Sequence, residues 1–109
     1  MTSPVARINL SALRHNLDRV KEVATGCRVI AAIKANGYGH GLVEVARALA
    51  GSDAFAVARV EEALQLRHAG FEGQIMVLEG FNSQPELLLC RDSDLDLVIH
   101  DRFQLQLLD

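Results

Sequence analysis

Four short apolar runs, each followed by a segment with helical spacing, constrain this chain more than any other feature. "RVIAAIK" (28–34) leads into "LVEVARALA" (42–50), where Leu42, Val45, Ala46 and Leu49 share one face and Gly51 stops the helix. "AFAVA" (54–58) leads into "VEEALQLRHAG" (60–70), whose stripe is Val60, Ala63 and Leu64 and whose end is Gly70. "QIMVLE" (74–79) leads into a loop, Pro85 and "ELLLCR". "LDLVIH" (95–100) leads into "DRFQLQLL", where Asp101 and Gln104 have the spacing of a capping box. Ahead of the first run, Leu13, Leu17, Val20 and Ala24 mark an amphipathic helix from Ser11, placed to cap it, to Thr25, with Gly26 as its stop.

Short strands alternating with helices specify an α/β chain with a parallel sheet, because each parallel strand needs a crossover and helices must cover the sheet. The repeat fits a doubly wound sheet or a (β/α)8 barrel, of which four units make half. In both, binding groups gather at the C-terminal ends of the strands. At those ends stand Lys34, Arg59 just past the second run, Glu79 and His100. Polar residues are ordinary where strands leave a core, and Arg59, Glu79 and His100 read that way.

A chain of 109 residues suits one domain. With 50% apolar and 23% charged residues it has the composition of a soluble globular protein. A net charge of -3 with scattered basic residues gives no electrostatic case for nucleic acid or an anionic membrane. No apolar stretch reaches the roughly 20 residues of a membrane span, and "MTSPVARINL" lacks the apolar centre of a signal peptide, so a cytoplasmic location is expected. Cys27 and Cys90 read as reduced, buried thiols. His15, His40, His68 and His100 lack metal-ligand spacing, so no metal is expected.

Lys34 differs in kind from the other rim residues. The chain has only two lysines, Lys21 and Lys34, against nine arginines. A period of two places Ala32 and Ile30 on the same strand face as Lys34, and small Ala32 leaves space beside the amine. In water at pH 7 an amine of pKa about 10.4 is neutral only roughly a few times in ten thousand. Burial at a rim favours the neutral, nucleophilic form that Schiff-base formation requires, which arginine cannot supply. The bland alternative is a lysine that snorkels from the strand end to solvent.

The loop after it, "NGYGHG", is neither a dinucleotide fingerprint, since Leu42 stands where the third glycine belongs, nor a P-loop. It sets glycines and backbone N–H groups ahead of a helix start, where an anion such as phosphate can be held, and Tyr38 adds a hydroxyl. An imine-forming amine beside a phosphate seat suggests pyridoxal phosphate, or else a phosphorylated carbonyl substrate.

"AAIKANGYGHG" (31–41) resembles the pyridoxal-phosphate attachment segment of alanine racemases. "INLSALRHNL" near the start, "DAFAVARVEEALQLRHAG" in the middle and "IMVLEGF" (75–81) are similar to that family in the same order. The resemblance implies the N-terminal half of a TIM-type (β/α)8 barrel. By it, residues 1–109 are a partial N-terminal barrel domain, inactive alone, without the rest of the barrel or the later β-rich domain. It implies that Lys34 holds the cofactor pyridoxal 5'-phosphate covalently and acts as one of two racemisation bases. Tyr38 is implied to hydrogen-bond the cofactor phosphate, and Leu78 to lie against the cofactor ring. Alanine is the implied substrate, D-alanine for peptidoglycan the implied product, and a homodimer the implied assembly. The family's opposing base is a tyrosine of the second domain from the partner subunit, whereas Tyr38 is the only tyrosine here. The alternatives are a pyridoxal-phosphate-binding barrel without activity, a racemase of another small amino acid, and a cofactor-free Schiff-base lyase acting on a phosphorylated sugar.

Overall fold

The computed structural model describes residues 3–109. Helix α1 (Leu10–Val23) precedes strand β1 (Ile30–Ala32), a single helical turn α2 (Lys34–Tyr38) and helix α3 (Leu42–Ala48). Then follow β2 (Ala54–Val57), α4 (Val60–His68), β3 (Gln74–Val77), α5 (Gln84–Asp92), β4 (Asp96–Leu97) and α6 (Arg102–Leu108). The cap of α1 is Asn9, whose side chain accepts from the Ala12 N–H at 3.1 Å, so the helix starts before Ser11, the residue expected to cap it. Asparagine two positions upstream takes the role because it already stands in an extended conformation, φ -94° and ψ 97°. Asp101 does cap α6, accepting from the Phe103 N–H at 2.9 Å.

All four strands are parallel and their spatial order is β1-β2-β3-β4. That order decides between the two architectures left open by the repeat. Right-handed crossovers between successive neighbours put every helix on the same face, whereas a doubly wound sheet reverses direction from its middle and covers both. The chain is therefore the first half of a TIM-type barrel.

The two sheet faces differ accordingly. Register pairs Ala31 with Phe55, Phe55 with Ile75 and Val57 with Val77, and these face the helices. They join Ile33, Leu42, Val45, Ala46, Val60, Ala63, Leu66 and Cys90 in one apolar core. Phe55 and Phe71 meet edge to face there, with ring centroids 5.7 Å apart. The alternate residues, Ile30, Ala32, Ala54, Ala56 and Met76, line the concave face, where Ile30 is 47% exposed.

Arg67 ties the opposite, N-terminal ends of the strands. Its Nε donates to the Ser93 carbonyl at 2.9 Å, Nη1 to Phe71 and Gly73 at 2.9 and 2.6 Å, and Nη2 to Asp94 at 2.9 Å. One planar fork thus closes the loops that lead into β3 and β4. A lysine has no such fork, and Arg67→Lys is expected to lower stability by about 2 kcal/mol, read from urea unfolding. A loss below about 0.5 kcal/mol would assign the loop geometry to other contacts.

The bare concave face and the unpaired edges of β1 and β4 are surfaces on which another chain can pair. Residues 1–109, purified alone, are expected to self-associate. Sedimentation of a stable, well-folded monomer at tens of micromolar would contradict this.

No helix among the described residues is long and apolar enough to cross a membrane. Cys27 is exposed, contrary to the expectation that both thiols are buried, because it lies in the link between α1 and β1 outside the core. Cys90 is buried, and burial, then the nearby Glu86 carboxylate, pushes its thiol pKa up.

Candidate active site

Strand β1 ends at Ala32, and Lys34 opens the turn that follows, at the C-terminal mouth of the sheet. Nearest to it on the concave face the first two strands present small side chains, Ala32 and Ala56, with the paired Ile30 and Ala54 one step further from the mouth. Lys34 itself is exposed. The burial expected to favour a neutral amine is thus not supplied by residues 3–109.

The segment after Lys34 is not an open glycine loop. Ala35, Asn36 and Gly37 lie in the left-handed helical region, with φ of 54°, 56° and 64°, and Tyr38 follows at φ 56°. Such a conformation costs an L-residue with a β-carbon roughly 1–2 kcal/mol. Asparagine and glycine tolerate it better than alanine or tyrosine.

The backbone donors of this turn are largely occupied. Gly37 N–H donates to the Ile33 carbonyl at 2.8 Å, Gly39 N–H to Ala35 at 2.9 Å and His40 N–H to Gly37 at 3.1 Å. Gly41 N–H donates to the Asn36 carbonyl at 2.9 Å, and Leu42 N–H to the Asn36 side-chain Oδ1 at 2.9 Å. Few N–H groups of this turn are thus left for the expected anion seat, and Glu44 in the first turn of α3 opposes an anion there. Tyr38, 58% exposed, keeps its hydroxyl accessible.

Leu78 continues the ladder beyond β3, its N–H donating to the Val57 carbonyl at 2.8 Å. Alternation from Met76 puts it on the concave face, partly exposed. Lys34 and Leu78 thus flank the same mouth from the first and third strands.

Arg59, Glu79 and His100 come together on the rim. Arg59 Nε lies 3.9 Å from Glu79 Oε2 and 3.8 Å from Glu61 Oε2, with all three side chains about two-thirds exposed. Exposed pairs of this kind contribute no more than about 1 kcal/mol. His100 Nε2 lies 2.9 Å from the Glu79 carbonyl oxygen.

Behind them Gln104 is buried. Its Nε2 donates to the Glu79 and Phe81 carbonyls at 3.2 and 3.1 Å, and its Oε1 accepts from the His100 N–H at 2.8 Å. This differs from a regular capping box, in which the glutamine would bond the cap residue's own N–H.

Two residues that hold the mouth together escape the sequence reading. Asn36 spans the turn and the start of α3, as given above. Glu62 accepts from the Ala58 N–H and the Asn36 N–H, both at 3.0 Å. The Asn-Gly pair at 36–37 is a sequence cue for positive φ, while Glu62 carries no cue beyond being acidic in the first turn of a helix.

This frame has known counterparts. A family model described as "Alanine racemase, N-terminal domain" matches residues 8–109. The alanine racemase of Vibrio cholerae is 50% identical over 109 residues, all of this chain and 30% of the relative. That of Shewanella sediminis is 48% identical over 106 residues, 97% of this chain and 30% of the relative. Among solved structures, alanine racemase from Acinetobacter baumannii superposes with a TM-score of 0.89 and 39% identity, over 93% of this chain and 28% of that one. Biosynthetic alanine racemase from Pseudomonas aeruginosa gives 0.86 and 41%, over 91% of this chain and 28% of that one. The chain spans about 30% of the length of the curated relatives it matches. On sequence and fold alike, it belongs to the alanine racemase family, over that family's N-terminal domain.

Proposed function

We propose that this chain is the cofactor-bearing part of a pyridoxal-phosphate-dependent racemase that interconverts L- and D-alanine in the cytoplasm and supplies D-alanine for peptidoglycan. The observation that carries the reading is Lys34, placed at the mouth of β1 beside a floor of alanines and ahead of a left-handed turn.

The residues present fit that cofactor in three respects. The alanine floor leaves room for a flat ring beside the amine. Leu78 offers an apolar surface on the same face. The accessible Tyr38 hydroxyl can donate to a phosphate oxygen. Most of the turn's own N–H groups are occupied and would not serve as further phosphate donors.

When bound, pyridoxal phosphate supplies a conjugated ring that accepts the electron pair left as the substrate Cα proton departs. Lys34 Nζ would hold the cofactor and, as a free amine, would take a proton from the substrate Cα or return one on one face. The left-handed turn fixes where Nζ and the Tyr38 hydroxyl stand relative to each other. Proton delivery on the other face needs a second base. Tyr38 is only four positions from Lys34 on the same turn, so it is not that base, in keeping with a homodimer whose subunits complete each other's sites.

The test is the full-length protein incubated with L-alanine, with D-alanine measured by an amino-acid oxidase specific for the D-form. Time-dependent D-alanine that requires added pyridoxal phosphate is expected. Binding of the cofactor without D-alanine would replace the reading with a non-catalytic cofactor carrier.

A further inference from the structure

The turn carrying Lys34 and Tyr38 places Ala35, Asn36 and Tyr38 at φ between 54° and 56°, a region that side chains with a β-carbon disfavour. A conformation of that kind persists where surrounding contacts over-determine it. Among the described residues, one side chain from another element bonds the backbone of residues 34–41, and it is Glu62.

Glu62 is the third residue of α4, where a carboxylate ordinarily reaches back to the N–H of its own cap residue. Here neither oxygen does so. Oε1 accepts from Ala58 N–H, on the exit of β2, and Oε2 accepts from Asn36 N–H, inside the left-handed turn. The cap residue, Arg59, provides no side-chain capping bond. The carboxylate therefore joins the mouths of β1 and β2. Asn36 in turn passes the restraint to α3 through its Oδ1 and the Leu42 N–H.

We propose that Glu62 is a positioning residue: its carboxylate clamps the Asn36 N–H, holds the left-handed turn, and so sets Lys34 and Tyr38 for pyridoxal phosphate. The second half of this statement rests on the function proposed above. The first does not.

The chemistry makes Glu62→Gln a discriminating change. Glutamine has the same size, but only one of its two terminal atoms accepts a hydrogen bond, so it cannot receive both N–H groups. Glu62→Asp keeps the charge and shortens the reach by one methylene, so it too cannot span both mouths. Glu61→Gln is the control, since Glu61 lies on the exposed rim near Arg59 and makes no bond to the turn.

In the full-length apoprotein, hydrogen exchange followed by mass spectrometry is expected to speed about tenfold in peptides covering 34–42, the worth of one charge-assisted hydrogen bond. This should occur with E62Q and with E62D, not with E61Q, and peptides over β3 and α5 should be unchanged. The affinity for pyridoxal phosphate, from absorbance titration, should weaken by a similar factor.

Unchanged exchange at 34–42 in both Glu62 variants would overturn the clamp. Faster exchange with unaltered cofactor affinity would overturn its role in positioning. Wild-type protein that takes up no pyridoxal phosphate would refute the proposed function and the positioning role together, while the exchange result would still decide the clamp.

Discussion

Lys34→Ala in the full-length protein is expected to abolish the near-visible absorbance of bound pyridoxal phosphate and to lower alanine racemisation roughly a thousandfold or more. Both effects follow from one atom, since Lys34 Nζ is proposed to hold the cofactor and to move the proton. Lys34→Arg should fail equally. It retains the positive charge but has no amine that can lose a proton and attack a carbonyl. The other lysine of this chain cannot substitute. Lys21 Nζ donates to the Gly51 carbonyl at 2.5 Å, near the end of the sheet where the strands begin. A variant that kept the absorbance band would show that an amine elsewhere in the full-length protein carries the cofactor.

Gly80→Ala is expected to cost about 3 kcal/mol of stability, from the sum of a steric and a conformational penalty. Gly80 is buried at φ +70°, and a Cβ there would stand 2.5 Å from the Val98 carbonyl oxygen and 2.6 Å from Gln104 Nε2. The carbonyl belongs to the backbone beyond β4 and cannot step aside. Gln104 is also held, through the Glu79 and Phe81 carbonyls, so the clash propagates to the β3 exit where Leu78 sits. Gly26→Ala and Gly70→Ala isolate the two penalties. Both glycines have positive φ, +83° and +101°, and nothing within 4 Å of an added Cβ. These controls should lose only about 1 kcal/mol each in urea unfolding. A Gly80→Ala loss no larger than theirs would mean that the β3 and β4 exits are not packed as described.

The strands were legible because their residues are. "AFAVA" and "QIMVLE" are continuous apolar runs, and a parallel strand covered by helices has that composition. The alternation of strands and helices left two architectures open. Spatial strand order separates them, and that is a property of which run pairs with which, invisible to periodicity within any one run. The start of α1 was read two residues late because both Asn9 and Ser11 are good caps, and only the backbone conformation selects Asn9.

At the site, Lys34 stood out in the sequence as a reactive type at a strand end, whereas the Asn-Gly cue for positive φ went unread. Nothing marked Ala35 and Tyr38 for the left-handed region, because their conformation is imposed from outside. Glu62, 26 positions from Asn36, is the restraint, and a contact across that separation leaves no local pattern. The burial of Lys34 was misjudged for a related reason. Strand-end burial depends on what covers the concave face, and the four strands described here leave it open.

The central claim is that the amine of Lys34 condenses with pyridoxal phosphate. Borohydride reduction of the full-length protein with that cofactor, followed by proteolysis and peptide mass spectrometry, tests it directly. A single phosphopyridoxyl group on the peptide containing "AAIKANGYGHG", at Lys34, is the predicted result. Labelling confined to another lysine, or no labelling, would contradict the account.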